Sequence, residues 1–276
     1  MARRLSAVTA NLACGGPHPA ERVSQAEDWL AAAAEERIDL LFLQECPPGV
    51  PDGALGDAYE LCTYAGDLPP YRCRSVVAVR RSPGVRAEPY LLRRQAYHRS
   101  YLAAATVTVE DAASFIAVSV HASPTPYDRR YAADWGAPLP PVRPVAVRPQ
   151  LWDADFVLAT LQDLACDHDV LAAGDLNEAR GYDTSDSPWG ALFFERVERG
   201  DADGQGILVD VTYRRWAEQE RPTCGVLQLD HILATPAIAA VIVDAPDDPA
   251  VVSPTEPLHA RGSDHRPLRW SLRFGR

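Results

Sequence analysis

Eight polar residues of the 276-residue sequence fall where apolar runs stop or start. "SAVTA" stops at Asn11, "LLFLQ" at Glu45, "FIAVSV" at His121, and "VLAAG" at Asp175 with Asn177 two residues on. Asp230 precedes "HILAT", and Asp264 with His265 precedes "PLRWSL". Carboxylates and carboxamides offer oxygen donors to hard cations, and imidazoles exchange protons near neutral pH. Gathered in one place, such a set could do metal-assisted acid–base chemistry. Taken singly, each residue has a plainer explanation. Asp and Asn form turns, Gly174 supplies backbone freedom, Glu45 before Cys46-Pro47-Pro48 ends a strand, and "SDH" is ordinary loop material.

The elements that must position them are mostly strands. "RLSAVTANL", "IDLLFLQE", "SVVAVRR", "DVLAAGDLN", "LDHILAT" and "PLRWSLRF" have strand-like apolar composition and length. "YLAAATVTVE" and "SFIAVSVH" read as a strand pair joined around Asp111. "ERVSQAEDWLAAAAEER" places Val23, Ala26, Trp29 and Leu30 on one helical face, and "LWDADFVLATLQDLA" is a second helix. Residues 181 to 223 are mixed, with a short helix near Trp189 to Arg196, and a Pro-rich stretch at 246 to 257 separates the last two strands. In a sheet containing antiparallel neighbours, ends of some strands share a rim with starts of others. The pattern therefore predicts Asn11, Glu45, His121, Asp175, Asn177, Asp230, Asp264 and His265 at one end of the core.

No clean linker, internal repeat or low-complexity tract divides the chain, so one domain over 1–276 is expected. Within it, residues 122–150 hold seven prolines among Tyr, Trp and Arg. A loop of this length in a compact domain is usually functional, and it is the candidate lid.

The formal net charge of −11 argues against nonspecific grip on long nucleic acid, which calls for a basic face. Every basic side chain other than histidine is arginine, a compositional mark of a GC-rich, bacterial genome. Six cysteines occur without a CxxC pair, so a zinc site or thioredoxin-type motif is not indicated, and free buried thiols are expected over a Cys62–Cys73 bridge. The apolar start of the chain is interrupted by Ser6, Thr9 and Asn11 and reads as a strand, not a leader. No run approaches transmembrane length. A cytoplasmic location and no membrane partner are the default expectation; oligomeric state is not legible.

Six pieces, "TANL" (9–12), "LQE" (43–45), "SVH" (119–121), "GDLN" (174–177), "LDHIL" (229–233) and "GSDHRPL" (262–268), resemble in order the motifs of the endonuclease/exonuclease/phosphatase superfamily. The resemblance spans nearly the whole chain. It implies an α/β (α+β) four-layer sandwich, two mixed β-sheets packed face to face with helices outside, and Mg²⁺- or Mn²⁺-dependent phosphoester hydrolysis.

On that resemblance, Glu45 and Asp264 are the metal ligands, with Asn11 as a further ligand or holder of water. Asp175 orients and deprotonates the attacking water. Asn177 donates to a phosphate oxygen and the nucleophile. His265, oriented by Asp230, stabilises charge growing on phosphorus. His121 binds a phosphate oxygen or protonates the leaving group, and Gly174 gives the backbone room beside the phosphate. Tyr71, Arg99 and Tyr127 are candidate substrate contacts. Three departures stand out. No arginine follows the glutamate in "ECPP", Cys73 stands where a glutamate partner for His121 is found in the deoxyribonuclease branch, and Gln228 replaces a basic residue before Asp230. The acidic chain favours a small phosphorylated molecule or nucleotide as substrate. Alternatives are a nuclease acting on DNA or RNA, and a non-hydrolytic tailoring enzyme of secondary metabolism using the same site.

Overall fold

Side-chain alternation along the strands builds three apolar cores. In β1 (Arg3–Asn11), Leu5 and Ala7 enter a central core while Val8 and Ala10 enter an outer one. In β2 (Leu40–Cys46), Leu40 and Phe42 point inward and Leu41 and Leu43 outward. A strand buried on both faces reads as a continuous apolar run, and "LLFL" does so for this reason. The same split occurs in β7 (Ala113–His121), where Phe115 and Ala117 meet the central core and Ile116 and Val118 a second outer one. The computed structural model describes residues 3–14, 19–63, 73–92, 102–124, 126, 150–183, 188–200, 203–242, 249–260 and 262–275.

The remaining strands are β3 (Tyr59–Thr63), β4 (Arg74–Arg80), β5 (Val85–Pro89), β6 (Leu102–Val109), β8 (Val170–Asp175), β9 (Val209–Asp210), β10 (Asp230–Ala234), β11 (Ala250–Val251) and β12 (Leu268–Phe274). They form two six-stranded mixed sheets, ordered β11-β12-β1-β2-β4-β3 and β5-β6-β7-β8-β10-β9. The central core lies between the sheets, with Phe42 against Trp270 and Phe115 stacked on Phe274.

Helix α1 (Pro19–Glu35) covers the outer face of the first sheet with Ala26, Trp29, Leu30 and Ala33. The second sheet is covered by α3 (Asp153–Asp167) through Val157, Leu158 and Leu161, and by α4 (Trp189–Arg199) through Phe193, Phe194 and Val197. Short helices α2 (Val50–Leu55), α5 (Val211–Arg215) and α6 (Pro236–Val241) complete the set among the described residues. The expected four-layer α/β sandwich is therefore found. Each fully buried Leu, Val or Phe contributes about 1.5–3 kcal/mol over exposure, so packing between layers holds the fold.

Strand direction decides where the polar ends fall. β1 and β2 run parallel, with Asn11 opposite Gln44, while β12 runs antiparallel to β1. The end of β1, the end of β2 and the start of β12 thus share one rim. In the second sheet β7 and β8 are parallel, pairing His121 with Asp175, and antiparallel β10 sets Asp230 opposite Asp175. A polar strap joins the sheets just beneath this rim. Gln44 Nε2 donates to Ser119 Oγ at 2.9 Å and to Thr9 Oγ1 at 3.2 Å, and Ser119 Oγ donates to the Leu43 carbonyl at 2.8 Å.

Four strands have no counterpart in the sequence pattern: β3, β5, β9 and β11. The short β11 lies inside the Pro-rich 246–257 stretch. β5 is an edge strand with Val85 alone buried and Pro89 at its end, as an unpaired edge allows. No disulfide joins the cysteines of the described residues, and Cys62 and Cys73 are both buried thiols. No helix of the described residues is long and apolar enough to cross a membrane.

Candidate active site

Asp175 Oδ2 is the hub of the rim. It accepts from Asn11 Nδ2 at 3.2 Å and from Asn177 Nδ2 at 3.1 Å, while Oδ1 accepts the Asn177 backbone N–H at 2.8 Å. His121 Nε2 lies 3.7 Å from Oδ2 and His265 Nε2 lies 3.6 Å from it. Asp175 is 1% exposed. Burial pushes its pKa up to about 7, and the charge of Asp230 adds to this, while His265 and the amide donors of Asn177 and Asn11 offset part of it. A carboxylate that titrates near neutrality is a better proton acceptor than an ordinary one.

His265 is the cationic partner. Its Nδ1 lies 2.8 Å from Asp230 Oδ2, and Asp230 is buried. Burial disfavours the imidazolium, but the charges of Asp230, Asp175 and Asp264 and the Asp230 hydrogen bond outweigh it and raise its pKa to about 10. With Nδ1 on Asp230, Nε2 is turned to Asp175. The loop carrying His265 is anchored at both ends. Ser263 Oγ donates to the Asn11 carbonyl at 2.7 Å and accepts from His265 N–H at 3.1 Å. The Arg266 N–H donates to the Thr223 carbonyl at 2.7 Å, and Thr223 Oγ1 accepts from the Leu229 and Asp230 N–H groups.

Glu45 and Asn177 both carry positive φ, +49° in each case. For non-glycine residues this backbone region is uncommon and is held by surrounding structure. At Glu45 it coincides with a register shift between Leu43 and Cys46, which turns the carboxylate to the rim. There Glu45 Oε1 accepts from Asn11 Nδ2 at 3.4 Å and lies 3.8 Å from His121 Nε2. At Asn177 the conformation folds the amide back on Asp175 and on the Ala122 carbonyl, 2.8 Å away.

Glu45, Asp264 and Asn11 each offer an oxygen donor, Asn11 and Glu45 in contact with each other, with Asp264 exposed and Glu45 half-buried. Such a set at an open rim fits a hard cation that keeps several waters. The Asn11 oxygen already accepts the Ala13 N–H at 2.9 Å, which leaves one lone pair for any further partner.

Gly174 has a different role from the one expected. A Cβ there would lie 2.1 Å from the Val120 carbonyl and 2.7 Å from Gln44 Nε2, so the missing side chain admits the inter-sheet strap and the neighbouring strand, not a phosphate. Gln228 is also structural. It is fully buried, accepts from Arg221 N–H at 3.0 Å and lies 3.2 Å from His231 Nδ1. Behind the site, buried His231 and Asp210 cluster with half-buried Arg180, which lies 2.7 Å from Asp210 and over the rings of Phe194 and Tyr213. Cys73 lies in the first outer core.

Sequence reasoning assigned nothing to Gln44, Ser263, Thr223 or Cys224. The first two lie inside the quoted motifs, which is the signal that points to them. Thr223 and Cys224 are about forty residues from Asp264, and only the fold brings them near. Tyr71, Arg99 and Tyr127 lie outside the described residues, as do Arg129, Arg130, Trp135 and the body of the 122–150 loop. The described flanks of that loop meet, because Pro126 pairs with Trp152.

A two-sheet sandwich carrying a carboxylate, carboxamide and histidine rim is of the phosphoesterase and nuclease type, and comparison makes the assignment explicit. The Endonuclease/Exonuclease/phosphatase family profile matches residues 8–265, and the chain belongs to that family. No curated protein matches its sequence. Among solved structures it is similar to the endonuclease domain of TRAS1, a telomere-specific non-LTR retrotransposon, with a TM-score of 0.60, 12% identity, and coverage of 97% of this chain and 98% of that one. A humanized D. rerio TDP2 gives a TM-score of 0.58 at 17% identity over 99% of both chains. A family protein from Bacteroides thetaiotaomicron gives 0.60 at 13% identity, covering 100% of this chain and 96% of that one. Identities this low report the shared fold.

Proposed function

We propose that this protein is a Mg²⁺- or Mn²⁺-dependent phosphoester hydrolase that acts on a small phosphorylated molecule or nucleotide in preference to long DNA. The observation that carries the proposal is the pairing of a buried carboxylate raised toward neutrality, Asp175, with an imidazolium 3.6 Å away that Asp230 keeps protonated. One group can take a proton from water while the other stabilises charge on the phosphoryl oxygens.

A divalent cation held by Glu45 and Asp264, with Asn11 alongside, would supply charge neutralisation for the phosphoryl group and a more acidic water. The chain's own groups do the rest. Asp175 Oδ2 receives the proton of the attacking water. Asn177 and Asn11 hold Asp175 in place, the two Asn177 amide hydrogens going to Asp175 and to the Ala122 carbonyl. His121, beside both Glu45 and Asp175, faces the position of a phosphate oxygen or leaving group. The net charge of −11 supports the small-substrate preference, because long nucleic acid is gripped chiefly through phosphate neutralisation.

A plasmid-nicking assay run beside a panel of nucleotides, sugar phosphates and phospholipid head groups tests the substrate class. Turnover of a panel member without nicking at physiological salt is expected. Strong nicking that disappears in Asp175→Ala would instead make the protein a nuclease.

A further inference from the structure

Cys224 borders the site and has no part in the proposed hydrolysis. Its position is fixed by backbone bonds on two sides. The Cys224 N–H donates to the Leu227 carbonyl at 3.0 Å, and the Leu227 N–H returns to the Cys224 carbonyl at 2.9 Å. Cys224 also pairs with His265 as an isolated antiparallel bridge. Its Sγ lies 3.9 Å from Asp264 Oδ2. One ligand atom each from Cys224, Asp264 and His265 fall within 4.8 Å of one another. Cys224 is half-buried and Asp264 exposed, so ions reach them from solvent. His265 spends Nδ1 on Asp230, which fixes the ring and leaves Nε2, 3.6 Å from Asp175 Oδ2, as the nitrogen a metal would take in place of that pairing, the carboxylate–histidine arrangement that supports metal-bound imidazole.

We propose that Cys224, Asp264 and His265 form a second metal site, selective for a borderline-soft cation such as Zn²⁺ and exclusive of the hydrolytic arrangement. A mixed sulfur, nitrogen and oxygen set suits Zn²⁺ and its analogue Cd²⁺, whereas Mg²⁺ prefers oxygen alone. Ligand atoms around a tetrahedral zinc, with bonds of about 2.0–2.3 Å, sit roughly 3.3–3.8 Å apart. The trio therefore has to close by about 1 Å, within reach of side-chain rotation at an open rim. On binding, one bond forms from the metal to each of the three side chains, the thiol and imidazolium protons pass to solvent, and a fourth position is left to water. Asp264 is then withdrawn from the hydrolytic cation and His265 loses its positive charge. Zn²⁺ consequently inhibits. The inhibitory consequence rests on the hydrolase proposal; the binding itself does not.

Two measurements on the full-length protein separate these. Metal-free protein is titrated with Cd²⁺, and the thiolate-to-cadmium charge-transfer absorbance is followed. Wild type and Cys166→Ser, which removes the exposed cysteine, should give a band that saturates at one equivalent; Cys224→Ser should not. Zn²⁺ is then titrated against the Mg²⁺-supported rate of each protein, normalised to its own uninhibited rate. The Zn²⁺ concentration that halves the rate should rise at least tenfold in Cys224→Ser. A band that survives in Cys224→Ser, no band in folded wild type, or equal Zn²⁺ sensitivity of the two proteins would overturn the site. If Cys224→Ser does not fold, Cys224→Ala carries the same comparison. Absence of any phosphoesterase activity would sink the hydrolase proposal alone, because the Cd²⁺ band still decides the metal site.

Discussion

Asp230 holds His265 by a 2.8 Å contact from Oδ2 to Nδ1, and this turns the far nitrogen of the ring toward Asp175 at 3.6 Å. The order Asp230–His265–Asp175 follows from sheet register. Asp230 and Asp175 face each other across antiparallel β10 and β8, and the loop before β12 drops the imidazole between them.

If Asp230 keeps His265 protonated, Asp230→Asn removes the charge and leaves the volume. The expected result is a fall in kcat of about 10²-fold, the lower end of what a positioned proton-handling group contributes, with KM little changed. The pH–rate profile of wild type should rise through an acid limb at or below about 7, from Asp175, and fall through an alkaline limb toward about 10, from His265. In Asp230→Asn the alkaline limb should move to lower pH. A limb that stays in place would detach His265 from Asp230.

Stability of the metal-free protein should depend on pH with a definite sign. The folded-state pKa of His265 is raised from 6.5 to about 10, so its contribution is complete below about 6.5 and is lost as pH rises toward 10. Asp175, raised from 3.8 to about 7, loses its contribution over the range between those values. Asp210 acts oppositely. Burial works against its charge, but His231, Arg180 and Thr212 hold its carboxyl far below the usual range, so its contribution disappears only in strong acid. Thermal melts in EDTA should show Tm falling from neutral to alkaline pH, and falling less in His265→Gln.

Gly174→Ala tests the inter-sheet strap. The new methyl would meet the Val120 carbonyl at 2.1 Å and Gln44 Nε2 at 2.7 Å, at a φ of +145°. A loss on the order of 3 kcal/mol or more is expected for such a clash. Differential scanning should register it as a lower Tm or as insoluble protein. An unchanged Tm would mean that the two sheets are not held as closely as these distances require.

Asp210→Ala separates scaffold from site. It leaves buried His231 and half-buried Arg180 without their carboxylate, and removing one partner of a buried ion pair costs about 3–5 kcal/mol, an upper range for this pair. Chemical denaturation should show this loss, whereas the specific activity of the protein that remains folded should stay within a few-fold of wild type.

The sequence makes the strand ends legible because β1, β2, β7 and β8 are buried on both faces, so their apolar runs stop abruptly at Asn11, Glu45, His121 and Asp175. Their convergence follows from strand direction, which the pattern allows but does not dictate. Elements with little burial of their own escape such reasoning. β5 has one buried residue, and β9 and β11 are two residues long. Roles that depend on through-space neighbours escape it too. Gly174 looks like a turn residue until Gln44 is seen packed on it from the other sheet. Gln228, read as a lost basic contact, faces His231 in the interior. Cys224 sits in "TCGV", an ordinary turn sequence, and gains its neighbours Asp264 and His265 only when β10 and β12 are placed.

The central claim is that Asp175 and a divalent cation act together on a phosphoester. Hydrolysis of bis(p-nitrophenyl) phosphate by purified wild type and by Asp175→Asn, each with Mg²⁺ or Mn²⁺ and with EDTA, tests it most directly. Release of nitrophenol by wild type that EDTA abolishes, and that falls at least about 10³-fold in a folded Asp175→Asn protein, is the predicted result. Hydrolysis that persists in EDTA, or an Asp175→Asn protein as active as wild type, would contradict it.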